Sequence, residues 1–502
     1  MSGIKRFSAL SAAAMLLIAS LAACGESESS NPAVTTAPVG EEAVTEAEET
    51  LSDIEMRALI ADNLPEADYG GYNFRIVTEA DQEQFLVVEE ATGDVINDAV
   101  YERNQRVSER FNCTFSTIVE ADYGSNGNFM SKAVLAGEDA FDLGATHEVN
   151  TGAVMLKGIF KNWYDLSRVD FSQPWWSRSC VEDLTYSKVC LIAIGDFALP
   201  AIGRTYCMFF DKVAADSYGI TGIYDTVMDG KWTIDLLSSL TQDIYVDLDG
   251  DNQRDDSDYY GFATGVASNV GAYLWAFDNP ICARNSDGTV SVVIHTSKMT
   301  SILEKLNTLM FDNPGTFYDK SSSSSVYWHN GGREMFQRSQ CVFANGFMEM
   351  AITNFRELEH DYGIIPYPKW EEAQTDYRSL VDGGHVALVV PMTVQDDDKV
   401  GTIIEALNAE GYKTVTPVFI ETALKVKYAR DNESVQVIDM LIANRIFDFG
   451  YVYDCWGGCG FWLEGLVQGK KTDFESYYAK NEKKILKNYQ KVFDLFESMA
   501  NA

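Results

Sequence analysis

Hydrophobic positions along this chain change their period several times. Tyr72 to Thr78 (YNFRIVT) reads as a strand, and Ile96, Val100, Val107 and Phe111 then recur at helical spacing. Cys113 to Val119 reads as a second strand, Met130 to Leu135 lies in a helix, and Phe141-Asp142-Leu143 opens a third strand. Strands alternating with helices predict an α/β body with a largely parallel sheet. Near the C-terminus, Ile485, Tyr489, Val492, Phe493, Phe496 and Met499 share one face of an amphipathic closing helix. There is no internal repeat, and the Ser321–Ser325 run ahead of Tyr327-Trp328 predicts a surface loop.

The chain opens differently. Lys5 and Arg6 precede an apolar run from about Phe7 to Ala19, shorter than the ~20 residues of a membrane span, which marks a secretory signal. Leu21-Ala22-Ala23-Cys24 resembles the lipobox of bacterial lipoprotein signal peptides. That resemblance implies cleavage before Cys24 and a diacylglyceryl (palmitate-type) anchor on its thiol. Residues 1–23 are then the signal peptide, and the mature protein starts on the outer face of the cytoplasmic membrane. Gly25 to Thr50 has no aromatic residue, Lys or Arg. It cannot bury enough apolar surface to offset its ordering entropy, so residues 24–51 are expected to be a disordered tether.

Composition narrows the possible partners. Of 502 residues, 39 are basic and 75 acidic, a formal charge of −36 that becomes −38 once Lys5 and Arg6 leave with the leader. Such a body is repelled by phosphate backbones and anionic headgroups, which argues against nucleic acid and leaves the lipid as the membrane attachment. With 46% hydrophobic residues, the chain can build more than one core. Eight cysteines besides Cys24 sit mostly in apolar runs and are expected to be buried free thiols. A Cys180–Cys190 hairpin bridge and a Cys455–Cys459 loop bridge are the alternatives. Cys455-Trp456-Gly457-Gly458-Cys459 lacks a second ligand pair for zinc.

A series of short passages resembles the family 1 extracellular solute-binding proteins, the maltose-binding-protein-like lipoproteins of ABC importers. Phe141 to His147, followed by Phe160-Lys161-Asn162-Trp163-Tyr164-Asp165-Leu166, is similar to their strand, ligand loop and L-x-D-L passage. Tyr206 to Lys212 (YCMFFDK) resembles the strand that first crosses between lobes, with Asp211 in place of the usual Asn. Lys231-Trp232-Thr233-Ile234-Asp235-Leu236-Leu237 resembles their W-T-W-D-E-L helix start, with Thr233 as N-cap. Tyr362 to Pro368 (YGIIPYP) resembles the G-x-x-P-x-P strand, and Val381 to Pro391 the return crossover. The resemblance implies a type II periplasmic-binding fold: two α/β lobes joined by a hinge, with ligand in the cleft between them. Lobe 1 is expected over 52–207 and 382–425, lobe 2 over 208–381, and lobe 2 with the C-terminal helices over 426–502. It also implies capture of a carbohydrate, an oligosaccharide above all, and its delivery to ABC permease subunits by a monomer. Hinge closure would exclude water and shift an open–closed equilibrium that the permease reads.

A sugar needs flat aromatic faces and forked polar groups. The candidates are His147 and Glu148 in the loop after the third strand, and the adjacent Trp175 and Trp176, which point to opposite faces if extended. Phe347 and Glu349 stand where the family has a G-x-W loop, and Asp382 opens Asp382-Gly383-Gly384-His385 at the return hinge. Trp275 has apolar company that favours a core, and Trp456 sits in a turn-rich loop.

Asp247 to Asp258 (DLDGDNQRDDSD) places oxygen ligands at the spacing a seven-coordinate cation needs. Asp247, Asp249, Asp251, Asp255 and Asp258 would supply carboxylates and Gln253 its carbonyl, making a structural Ca2+ site; a solvated acidic turn is the alternative. No Gly-x-Ser-x-Gly elbow, His-Glu-x-x-His or P-loop occurs, so no enzymatic activity and no organic cofactor are expected. The alternatives are a binding protein that feeds a signalling receptor, and a hydrolase whose carboxylate pair has no fixed spacing.

Overall fold

The computed structural model describes residues 52–120, 123–265, 268–319, 331–420, 432–454 and 458–501. Cys24, the tether, the serine run, Cys455 and Trp456 lie outside the described residues. Fourteen strands are described: β1 Tyr72–Glu79, β2 Cys113–Glu120, β3 Leu143–His147, β4 Tyr206–Asp211, β5 Tyr245–Val246, β6 Tyr259–Gly265, β7 Cys282–Arg284, β8 Val290–Val292, β9 Thr316–Asp319, β10 Cys341–Phe347, β11 Tyr362–Ile365, β12 Ser379–Leu380, β13 Val386–Val389 and β14 Arg445–Ile446.

Two sheets organise the body. The first has the order β13-β3-β1-β2, and the second β11-β4-β10-β6-β5 with β9 also paired to β6. The first is largely parallel with one antiparallel edge strand, whereas the second is mixed. β1 runs parallel to β2 and β3, whereas β13 is antiparallel to β3. β10 and β9 run parallel to β6, whereas β4 is antiparallel to both β10 and β11. Two of the antiparallel strands, β4 and β13, are those with which the chain enters the second sheet and later returns to the first.

Local chemistry explains the predicted elements. The helix Val95–Phe111 starts where the Asp94 carboxylate accepts the Ile96 and Asn97 amides at 3.0 and 3.2 Å. It stops where Asn112 turns left-handed at φ 48°, and β2 follows at once. Its Val100, Val107 and Phe111 pack with Phe74 and Ile76 of β1, all essentially inaccessible. Thr233 caps the helix Ile234–Thr241, its hydroxyl accepting the Leu236 amide at 3.3 Å. The closing helix Phe474–Ala500 buries Phe474, Tyr478, Ile485, Tyr489, Val492 and Phe496, while Phe493 and Met499 pack half-buried at its edge. Cys180 and Cys190 are both buried free thiols, as are Cys113, Cys207 and Cys341, so the hairpin bridge does not form.

Candidate functional site

Several crossing points and strand ends from the two sheets meet in one polar cluster. In open α/β sheets, ligands bind outside the carboxyl ends of the strands. β1 ends in Glu79, whose carboxylate accepts the His147 amide at 2.8 Å and the Asn126 side chain at 3.3 Å. Asp81 lies exposed just beyond it. β3 ends in His147, and Glu148 begins the next helix with its amide donating to the His385 carbonyl at 3.1 Å.

The return segment completes this side. The Asp382 amide donates to the Arg204 carbonyl, and the Asp382 carboxylate accepts the Tyr206 hydroxyl at 2.8 Å and the Gly384 amide at 3.0 Å. Gly383 is required by space: a Cβ there would stand 2.3 Å from a Val149 methyl. His385 is fully buried, its Nδ1 2.7 Å from the Asp382 carbonyl and its Nε2 3.6 Å from Glu148 Oε1, too far for a hydrogen bond.

The second sheet contributes Arg204, two residues before β4, Phe347 at the end of β10 and Glu349 two residues beyond it. Arg204 Nε lies 3.0 Å from Glu349 Oε1, its Nη2 4.0 Å from Asp81, and its guanidinium 5.5 Å from the Phe347 ring centroid. Tyr206 packs on Phe347 at 4.7 Å and on Tyr367 at 5.9 Å, and Tyr367 packs on Tyr273 at 4.8 Å. Arg204 is only 5% exposed and Phe347 7%, whereas His147, Glu349 and Asp382 are half-buried and Asp81 is exposed.

Burial sets the charges. It pushes Glu79 up to about 7 and Glu148 well above the usual carboxylate range. It holds His147 down at about 4 and His385 at about 3, so both rings are neutral at pH 7. Arg204 is therefore the fixed positive charge among these residues, surrounded by carboxyl groups and neutral imidazoles.

No family profile matches the chain, and no curated protein matches it by sequence. Solved structures do. UgpB from Mycobacterium tuberculosis in complex with glycerophosphocholine matches at a TM-score of 0.51 and 14% identity, over 86% of this chain and 98% of that one. The maltose/maltodextrin-binding domain MalE from Bdellovibrio bacteriovorus bound to maltotriose matches at 0.52 and 13%, over 84% and 99%. The GacH receptor of Streptomyces glaucescens, solved unliganded and with acarbose, matches at 0.51 and 9%, over 80% and 94%. The fold is that of the solute-binding proteins.

On this solute-binding fold, His147, Glu148, Phe347, Glu349 and Asp382 lie in the one cluster. Trp175 and Trp176 do not join them. Both are buried, and both indole N–H groups donate to Glu405, at 2.8 and 2.9 Å. The segment turns at Trp175 instead of running extended, so the opposite-faces expectation fails and both rings are core. Trp275 is also core, donating to Asp448 at 2.8 Å and packing on Tyr451 at 5.1 Å. Tyr451 in turn accepts the Gly383 amide, which places Trp275 one layer behind the cluster. Trp275 lines a separate cavity of about 200 Å³ with Asp183, Arg284 and Arg378.

Arg204, Glu79, Asp81 and His385 belong to the site without having been singled out. The strand-end rule that selects His147 selects Glu79 and Asp81 equally. In the acidic loop, Asp247, Asp249 and Asp258 each bring a carboxylate oxygen within 4.8 Å of the others. Gly250 and Asn252 turn left-handed to close the loop around Asp247, whose carboxylate accepts their amides at 2.7 and 3.0 Å. Asp251 and Asp255 stay outside that group and accept the Gln253 and Ser257 amides instead, at 2.7 and 2.8 Å.

Proposed function

We propose that this chain is an extracellular solute-binding protein that captures a carbohydrate between its two sheets and delivers it to an ABC importer. The observation that carries the reading is the cluster of buried Arg204 with half-buried His147, Glu349 and Asp382 at the crossing strands, on a fold whose solved examples bind maltotriose and acarbose. Forked polar groups beside Phe347 and Tyr206 suit hydroxyls and the apolar face of a sugar ring. A ligand that touches both sheets at these half-buried groups favours the closed form over the open one. Binding without turnover is the role of such a site, which makes this a binding protein and not an enzyme.

The same reading places the body outside the cytoplasmic membrane, held by acyl chains on Cys24 beyond a polar tether. No described helix is long and apolar enough to cross a membrane. A structural Ca2+ at Asp247, Asp249 and Asp258 staples the surface of the second sheet; Asp258 is fully buried and draws the loop onto Tyr245 at 3.0 Å.

A thermal-shift screen over mono- and oligosaccharides, amino acids and peptides tests the function. An oligosaccharide should raise the melting temperature and be recovered intact. A shift confined to amino acids or peptides, or cleavage of the sugar, would overturn the proposal.

A further inference from the structure

The acidic character of the chain is not evenly spread. Between residues 480 and 491 there are five lysines and a single glutamate, in a chain where acids outnumber bases by 75 to 39. Lys480, Lys483, Lys484, Lys487 and Lys491 all lie on the closing helix Phe474–Ala500, and all are exposed. At about 100° per residue, their spacing confines them to one ~100° arc, a straight stripe along the helix. The buried Tyr478, Ile485, Tyr489 and Val492 occupy the opposite side, and Glu482 falls on the flank of that side. Acids enter the line of the stripe only beyond its two ends, at Asp473 and Asp494.

This stripe works against the helix that carries it. Lys480 and Lys484, Lys483 and Lys487, and Lys487 and Lys491 are like charges four residues apart, an arrangement that destabilises a helix. Among the described residues none of the five makes an ion pair, whereas Lys161, Lys305 and Lys413 on other elements meet carboxylates at 2.7, 2.6 and 3.3 Å. The apolar face of the helix is committed to the core, so the stripe can meet a partner only through charge and along a line. A flat, densely anionic surface fits that shape. Attraction to it acts within a Debye length of about 8–10 Å, over which the more distant acidic body counts little.

We infer that the lysine stripe of the closing helix docks the tethered body on anionic phospholipid headgroups at the outer face of the membrane, with the helix lying along the membrane plane. The inference rests on the placement of the body outside the cytoplasmic membrane and deepens it. Acyl chains at the end of a polar tether hold the body near the membrane without setting its orientation; the stripe sets which side faces the headgroups. The net charge alone predicts repulsion from such a surface, and the stripe reverses that locally.

Flotation of the mature chain carrying Cys24→Ser, which removes any acyl contribution, tests this on two kinds of vesicle. One holds phosphatidylglycerol and phosphatidylcholine in equal parts, the other phosphatidylcholine alone. The chain should float with the first and not the second at about 0.1 M salt, and be released at about 1 M, where the Debye length falls to ~3 Å. Each lysine near an anionic surface is worth roughly fivefold in binding. Lys483→Gln with Lys484→Gln and Lys487→Gln should therefore weaken binding about a hundredfold, and the same three changed to Arg should keep it. All three side chains are exposed, so the melting temperature should not fall. Equal flotation with both vesicles, or undiminished binding in the glutamine variant, overturns the docking while leaving sugar capture and the acyl anchor intact. Capture by soluble polyglutamate without flotation on phosphatidylglycerol would assign the stripe to an acidic protein and overturn the lipid inference. If protease added to intact cells does not reach the acylated wild-type chain, the placement outside the membrane fails, and the docking fails with it whatever the vesicles show.

Discussion

His385 and Glu148 show most clearly how individual residues shape this site. His385 is fully buried with its ring held down at about 3, against an ordinary value of 6.5. The folded chain therefore binds fewer protons than the unfolded chain in that window. The sign follows: stability is complete above about pH 6.5 and falls as pH drops toward 3. His385→Gln lacks this dependence, so in urea melts the variant should gain on the wild type by about 1.4 kcal/mol for each pH unit below 6.5. A difference that does not change between pH 7 and 5 would show that the ring is not held neutral. Residue-scale chemistry was only partly readable from the chain. His147, Glu148 and Asp382 could be found because each borders a predicted strand or a Gly-Gly hinge. Arg204 could not, because its importance comes from Glu349 and Asp81, which reach it through tertiary folding.

At the scale of elements, the tryptophan pair tests what is core. Trp175 and Trp176 tie their segment to the helix Asp397–Glu410 through the shared Glu405 carboxylate. Trp176→Ala should cost about 3–5 kcal/mol of stability while ligand affinity in the folded fraction stays unchanged. Weaker affinity with unchanged stability would return Trp176 to the cleft. Periodicity placed β1, β2 and the helix between them because their cores alternate locally, but the Trp-Trp step lies in a turn, where a two-residue period has no meaning. The acidic loop is a second element-scale test. Calcium at ~10⁻⁴ to 10⁻³ M should raise the melting temperature. Asp247→Ala with Asp249→Ala should remove that rise, and an unchanged rise would place the ion elsewhere.

At the scale of the whole molecule, the two sheets and the return crossing were readable from the order of short passages, because each crossing strand is an apolar run with its own start and stop. Strand direction was not, since β13 pairs antiparallel to β3 only through contacts between segments distant in sequence. Also at this scale, ligand is captured by closure of two layers over a cluster in which Arg204, Glu148 and His385 are buried and His147, Glu349 and Asp382 half-buried. An unliganded protein in solution should spend much of its time open, because Glu79 and Glu148 are buried from water in the closed arrangement. Small-angle scattering, with and without the oligosaccharide that gives the largest thermal shift, measures this directly. The radius of gyration should fall on binding. Calorimetrically confirmed binding with an unchanged radius of gyration would contradict capture by closure.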